Sequence, residues 1–358
     1  MPTTGAKNGI QLVDMRGVDY DDTKWDTFLD QLTVDEMVNL ISVGGYQSVA
    51  ISSIGKTQQI DCDGPASINN NFTGKGSIGF PADVMIASTW NEDLAKDFGS
   101  SIGEMADEMN VSDWYAPAMN THRSAFAGRN FEYYSEDGLL AGKMAANAVA
   151  GAKEHGVYSF IKHFALNDQE TNRGNLLCTW SNEQAIREIY LKPFELAVKE
   201  GGAEAVMSAF NFVGHEYAGA CNELLNNVLR DEWGFRGMVL TDFFMGGGYQ
   251  DADIQIRNSN DFCLNPMGSE PSVLTDQTSA TSILAARQAC KNILYTTSNS
   301  RAYSADVLNP GMPAWQITMY VIDAVVIALL ALWEVMLIKN YKKAEKETVV
   351  ETVPAEKA

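Results

Sequence analysis

Short apolar runs alternate along this chain with longer stretches whose apolar positions recur every three or four residues. The short runs are ADVMIAST (82–89), SDWYAPAM (112–119), YSFIKHFAL (158–166), AEAVMSAFN (203–211), GMVLTDFF (237–244) and, more weakly, NDFCLN (260–265). Their bounded length and β-branched and aromatic content predict strands buried on both faces. The helical pattern covers Asn91 to Met109, Ser135 to His155, Asn182 to Glu200, Asn222 to Trp233 and Thr281 to Tyr295. Asn91 before EDLAKDF, and Ser181 or Asn182 before EQAIREIY, are suited to cap a helix N-terminus. Strand and helix units in alternation predict an α/β fold with a parallel sheet, and their number favours a (β/α)8 TIM-like barrel over a doubly wound sheet. Neither GxGxxG nor GxxxxGK[ST] follows any of these strands, which weighs against a nucleotide site.

The pattern changes at the C-terminal end. ITMYVIDAVVIALLALWEVMLI, from Ile317 to Ile338, is about long enough to cross a bilayer as a single transmembrane helix, and KNYKK follows at once. Asp323 and Glu334 interrupt it 11 residues apart, about 16 Å along a helix, so each would sit towards one end of the span. The other reading is an amphipathic helix packed on the protein's own surface. In the membrane reading Lys339, Lys342 and Lys343 place the tail in the cytoplasm, and the remainder of the chain is extracellular. The N-terminus, MPTTGAKNGIQ, lacks a basic stretch followed by an apolar core, so translocation would fall to the anchor itself. The expected organisation is an N-terminal extension (1–24), a barrel (25–300), a linker (301–316), a membrane helix (317–338) and a charged tail (339–358).

Charge and cysteine content narrow the classes. The 358 residues carry 46 acidic and 26 basic side chains, a formal net charge of −20. General affinity for nucleic acid or anionic lipid is therefore not expected, and an acidic surface suits a neutral substrate. Cys62, Cys178, Cys221, Cys263 and Cys290 form no close pair, so they read as small core residues. His122, His155 and His215 lack metal-type spacing, and neither a metal nor a cofactor is expected.

Polar residues gather just past the ends of the predicted strands. Asp61, Asp63 and Gly64 follow Ile60; Asn120, His122 and Arg123 follow Tyr115, with Arg129 in GRNFE beyond. Lys162, His163, Asn167, Asp168 and Glu170 follow Ile161; Asn211 and His215 follow Met207; Asp242 follows Leu240. In a parallel barrel these ends open on one face, which carries the active site. Lys162 and His163 lie inside an apolar strand, where an unpaired charge is costly, so a ligand or a buried acid is their expected partner. Asp63 in DGPAS also suits a turn, and Arg129 also suits a local pair with Glu132 or Glu136.

These stretches resemble the barrel domain of glycoside hydrolase family 3, the β-glucosidase and β-xylosidase group. The likeness rests on DGPASI (63–68), FPADVMIASTWN (80–91), APAMNTHR (116–123), GRNFEYYSED (128–137), IKHFALNDQETNR (161–173), VMSAFN (206–211) and LLNNVLRDEWGFRGMVLTDF (224–243), in the family's order. It implies that Asp242 is the nucleophile of a retaining glycosidase acting on terminal non-reducing β-linked glucose or a similar sugar. It further implies that Asp63, Arg129, Lys162 and His163 hold the sugar hydroxyls in the −1 subsite, which Met207, Phe210 and Phe243 line. The cations Arg129, Lys162 and His163 are expected to keep Asp242 ionised.

The chain also departs from the family. Phe243 stands where a tryptophan is usual, Phe210 where a tyrosine is usual, and SINNN (67–71) lacks an arginine often found after DGP. These changes bear on sugar specificity. Retention also needs a second carboxyl about 5 Å from the first. In β-glucosidase-type members a glutamate on a separate α/β sandwich domain supplies it, and the His-Asp alternative of the hexosaminidase-like branch is absent from KHFALNDQETNR. The expected source is a sandwich domain outside these residues, as in a member with reversed domain order, or a partner acting in trans. The rival expectation is a surface carbohydrate-binding module or inactive remnant without turnover.

Overall fold

The computed structural model describes residues 1–245, 248–266, 273–309 and 311–351. The chain divides into two units, Met1–Ser304 and Ala305–Ala358. The predicted tail extends to Ala358, and its last seven residues lie outside the described ones.

In the first unit, seven strands form one sheet among the described residues: β1 (Gln47–Ser48), β2 (Gln59–Cys62), β3 (Asp113–Trp114), β4 (Tyr158–Phe164), β5 (Ala205–Ser208), β6 (Met238–Phe243) and β7 (Phe262–Leu264), in chain order across the sheet. β1 pairs antiparallel with β2, and every later neighbour pairs in parallel. A parallel bridge from Gly44 to Leu264 brings the last strand back to the segment before β1 and closes the ring. Glycine is required there, because a Cβ on Gly44 would lie 2.6 Å from the carbonyl oxygen of Cys263. The result is a TIM-like barrel with, among the described residues, seven strands and one reversed hairpin, where the apolar pattern suggests an eightfold repeat.

One predicted strand is a helix. ADVMIAST contributes Asp83–Ala87, with Asp83, Ile86 and Ala87 buried. That spacing is one face of a helical turn, and an apolar run this short fits either element. The other predicted strands form, though several are shorter than their apolar runs.

The predicted helices occupy the outer layer. They include α1 (Glu92–Glu108), α2 (Gly138–Glu154), α3 (Lys192–Lys199) and α4 (Ala280–Asn299). Asn91 accepts from the Leu94 amide at 3.2 Å and Asn182 from the Ala185 amide at 2.9 Å, so both caps form. Between Asn182 and Trp233 the pattern is broken by π-helical segments at Ile186–Tyr190 and Glu223–Glu232.

Strand alternation sorts the core. Val206, Val239 and Trp114 pack with α1, α2 and α3 in one apolar cluster. Their neighbours Ala205, Met207, Met238, Leu240 and Tyr115 join a second cluster with Phe160, Phe262 and α4. Cys62, Cys221, Cys263 and Cys290 are buried, whereas Cys178 is exposed, and all five are free thiols. Asp61 is also buried, accepting from the Tyr115 hydroxyl at 2.9 Å. It is part of the strand packing rather than of the mouth.

The second unit contains α5 (Ala314–Glu351). Its Ala314–Glu347 portion is long and apolar enough to cross a membrane. The apolar side chains from Trp315 to Ile338 are largely exposed.

Candidate active site

β6 carries the central carboxylate to the barrel mouth. Side chains alternate along a strand, so Asp242 shares its face with Met238 and Leu240 and stands one layer above them. Only 8% of Asp242 is exposed. Its Oδ1 accepts from the Phe243 amide at 2.7 Å. Its Oδ2 lies 3.2 Å from Nη1 of Arg173 and 3.7 Å from Nε2 of His163.

The electrostatics of Asp242 differ from the sequence-based expectation in two ways. His163 is not one of its cations: burial, reinforced by Arg129, Lys162 and Arg173, holds the imidazole well below its usual pKa and hence neutral. Burial also raises the Asp242 pKa above the ordinary carboxylate value, opposed chiefly by Arg173 and then by the Phe243 amide, Arg129 and Lys162. The principal counter-charge is Arg173, the last residue of QETNR (169–173), which carries no role in the sequence-based expectation. It also pairs with Glu170 at 2.9 Å and stacks on the Phe210 ring, 4.9 Å from its centroid.

The remaining candidates surround this pair. Lys162, buried at the end of β4, reaches Asp63 with a 2.6 Å bond from Nζ to Oδ1. Burial works against charge on Asp63, but Lys162, the Gly64 amide at 2.8 Å and Arg129 together hold its pKa below the usual value. Thus the buried lysine has its acid, as strand burial demanded. Arg129 pairs locally with Glu132 through Nε and reaches Glu170 at 3.6 Å. The local pairing with Glu132 therefore leaves Arg129 within the cluster of charges that acts on Asp242.

His163 is fixed through its main chain and its ring. Asn120 donates to its carbonyl at 2.9 Å and accepts from its amide at 2.8 Å, while the Tyr133 hydroxyl sits 3.3 Å from Nδ1. Phe210 is buried beneath Arg173, Met207 lies within the second core cluster, and Phe243 is 40% exposed at the rim.

Several polar residues past the strand ends do other work. His122 bonds the Tyr133 carbonyl at 2.7 Å, Asn211 donates to the Ala165 carbonyl at 3.1 Å, and Asp168 pairs with Arg123 at 3.4 Å. His215 is exposed beside Glu216. Tyr46 lies outside the sequence-based candidates: burial, together with the charges of Asp63 and Asp242, pushes its pKa up to about 12. It precedes β1 in GGYQ, where no polar cluster marks it. Among the described residues one trio could offer three metal-ligand atoms within 4.8 Å of one another, Glu216, Cys221 and Glu223, and none of these is a candidate site residue.

The assembled site can hold a polyhydroxylated ligand. Lys162, Arg129 and Arg173 donate, Asp63 and Asp242 accept, and one buried carboxylate stands fixed on a rigid strand.

Comparison with known proteins places this arrangement. Residues 68–260 match the pattern described as "Glycosyl hydrolase family 3 N terminal domain". Beta-glucosidase A of Butyrivibrio fibrisolvens is 40% identical over 227 residues, which cover 61% of this chain and 27% of that protein. Beta-glucosidase B of Emericella nidulans is 38% identical over 237 residues, covering 65% and 28%. Among solved structures, beta-glucosidase 3B from Thermotoga neapolitana in complex with alpha-D-glucose superposes with a TM-score of 0.68 at 33% identity, covering 78% of this chain and 43% of that one. A beta-glucosidase from Paenibacillus barengoltzii gives 0.73 at 27% identity, covering 85% and 36%. The chain thus spans little more than a quarter of these curated relatives and under half of these solved chains. With the barrel, the strand-end carboxylate and the matched 68–260 segment in agreement, this chain belongs to glycosyl hydrolase family 3 through that family's N-terminal domain.

Proposed function

We propose that this chain is the sugar-binding, nucleophile-bearing barrel of a retaining β-glucosidase. Asp242 attacks the anomeric carbon to give a covalent glycosyl–enzyme, and water later releases the sugar with retained configuration. Asp63, Arg129, Lys162 and His163 hold the hydroxyls of a terminal non-reducing β-glucosyl unit, with Met207, Phe210 and Phe243 at its edges. The observation that carries this reading is the placement of Asp242: buried at the end of β6, 3.2 Å from Arg173 and beside the Lys162–Asp63 pair. The names of the relatives, β-glucosidases from bacteria and fungi, support glucose as the sugar.

The general acid/base in this reading is a glutamate of an α/β sandwich domain, in the complete protein or in trans. The loops around the site support a covering partner, because Phe126, Phe131 and Met245 near Arg129 and Asp242 are 93%, 60% and 62% exposed. α5 anchors the barrel in the cell membrane with the barrel outside and the lysine-rich tail in the cytoplasm.

The test uses an activated aryl β-glucoside, whose good leaving group lessens the need for an acid. The full chain should release a burst of phenolate that Asp242→Asn abolishes. A 2-fluoro-glucoside carrying such a leaving group should label Asp242 covalently. Sugar binding without labelling would leave a carbohydrate-binding module in place of an enzyme.

A further inference from the structure

We propose that α5 docks within the membrane against a spanning helix of a second protein that presents two basic side chains, with Asp323 and Glu334 as its contact residues. The inference rests on the reading of α5 as a membrane helix and adds a partner to it.

Helical geometry carries the argument. At about 100° per residue, a spacing of 11 brings two side chains to within about 20° of each other around the axis. Asp323 and Glu334 therefore lie on one face, about 16 Å apart along it. Gln316 and Tyr341 fall on the same line, seven residues before Asp323 and seven after Glu334. Val321, Val325, Leu332 and Met336 lie on the opposite face.

The two acids are the only charged residues between Ile317 and Ile338, and all ten residues separating them are apolar. Both are exposed, and none of the ion pairs among the described residues involves either. Placed in lipid, an unpartnered carboxylate is costly, and a cation opposite each acid offsets that cost. A second copy of α5 would set carboxylate against carboxylate, which disfavours self-pairing. Between the acids, Ile327 and Leu330 continue the same face with apolar packing. The complementary surface is thus a helix with lysine or arginine at two positions 11 residues apart and apolar residues between. That spacing reads alike in parallel and antiparallel orientation.

The full chain, carrying a fluorescent donor, can be reconstituted in phosphatidylcholine vesicles with acceptor-labelled synthetic Leu/Ala-rich spanning peptides. One peptide carries two lysines 11 residues apart, and its control carries leucines there. The expected result is at least tenfold tighter association of the dilysine peptide, with the preference lost in Asp323→Leu/Glu334→Leu. Equal transfer to both peptides overturns the proposal. So does transfer between labelled copies of the chain that the dilysine peptide does not displace. Alkaline carbonate extraction separates the two levels. Release of the chain refutes the membrane reading and the proposal with it, whereas a retained chain without lysine preference refutes the proposal alone.

Discussion

Replacing Arg173 by methionine should move the acid limb of glycosylation to higher pH. Arg173 Nη1 lies 3.2 Å from Asp242 Oδ2, and Asp242 is 8% exposed, so solvent screens the pair weakly. With charge centres about 4 Å apart and an effective dielectric near 20, the attraction is about 4 kcal/mol. An aspartate beside an arginine ordinarily has its pKa lowered by about 1–3 units, equivalent to roughly 1.4–4 kcal/mol. The direction follows from what attack requires. Asp242 must be ionised, and its pKa is already raised by burial, with Arg173 the chief opposing influence. Removing that influence lets burial raise the pKa further, so the ionised fraction falls at a higher pH than in the parent chain. Methionine keeps an apolar contact for the Phe210 ring, and Glu170 retains Arg129 at 3.6 Å. The assay is the second-order rate of labelling by a dinitrophenyl 2-fluoro-β-glucoside between pH 4 and 8. Arg173→Met should shift the acid limb upward by about 1–3 units, and Arg173→Lys by less than about one. An unmoved limb in the methionine variant would refute the assignment of Arg173 as the principal counter-charge.

Other substitutions probe different parts of the structure. Lys162→Met removes the ammonium that bonds Asp63 at 2.6 Å. Loss of a charged hydrogen bond of about 2–3 kcal/mol should weaken glucose binding roughly 30- to 150-fold by calorimetry, and unchanged affinity would exclude Lys162 from the subsite. Gly99→Ala would set a Cβ 2.0 Å from the Ala148 carbonyl oxygen, where α1 crosses α2. Forcing those helices apart should cost about 1–3 kcal/mol and lower the barrel's melting temperature by several degrees, so a melting curve that stays put would contradict the crossing. Glu132→Gln loosens the Arg129 guanidinium without removing it. Glucose affinity should fall by less than in Arg129→Met, and an equal fall in both would make Glu132 a direct sugar contact.

Part of the fold and part of the clustering of charges at the barrel mouth are legible in the sequence. Asp63, Lys162 and Asp242 stand out because each is a charge at the end of an apolar run, where burial demands a partner or a ligand. Arg173 is harder to find: it reaches Asp242 from the far end of a loop beginning after Phe164, and no periodicity encodes how a loop folds back. Tyr46 is hidden for a related reason, since Asp63, whose charge acts on it, is 17 residues away across a hairpin. The error at ADVMIAST has a different origin. Eight residues, five of them apolar, satisfy either a two-sided strand or a short helix, and only packing decides between them. The sevenfold closure depends on Gly44 meeting Leu264, a contact spanning most of the barrel sequence.

The charges of the site suggest how an acid from another domain would behave there. Lys162 is matched by Asp63 and Arg129 by Glu132, while Arg173 is shared between Glu170 and Asp242. His163 is neutral and adds no cation. Three cations therefore face four carboxylates, leaving about one surplus negative charge centred near Asp242. A glutamate brought to about 5 Å from Asp242, the separation retention needs, meets that surplus and loses water on docking. Both effects raise its pKa and keep it protonated, the state in which it can donate to a leaving oxygen. In the proposed mechanism, esterification of Asp242 to the sugar would remove its charge, so the entering glutamate would ionise more readily and act as the base that activates water. In that mechanism the barrel's own imbalance of charge would favour both proton transfers, whichever domain supplies the second carboxyl.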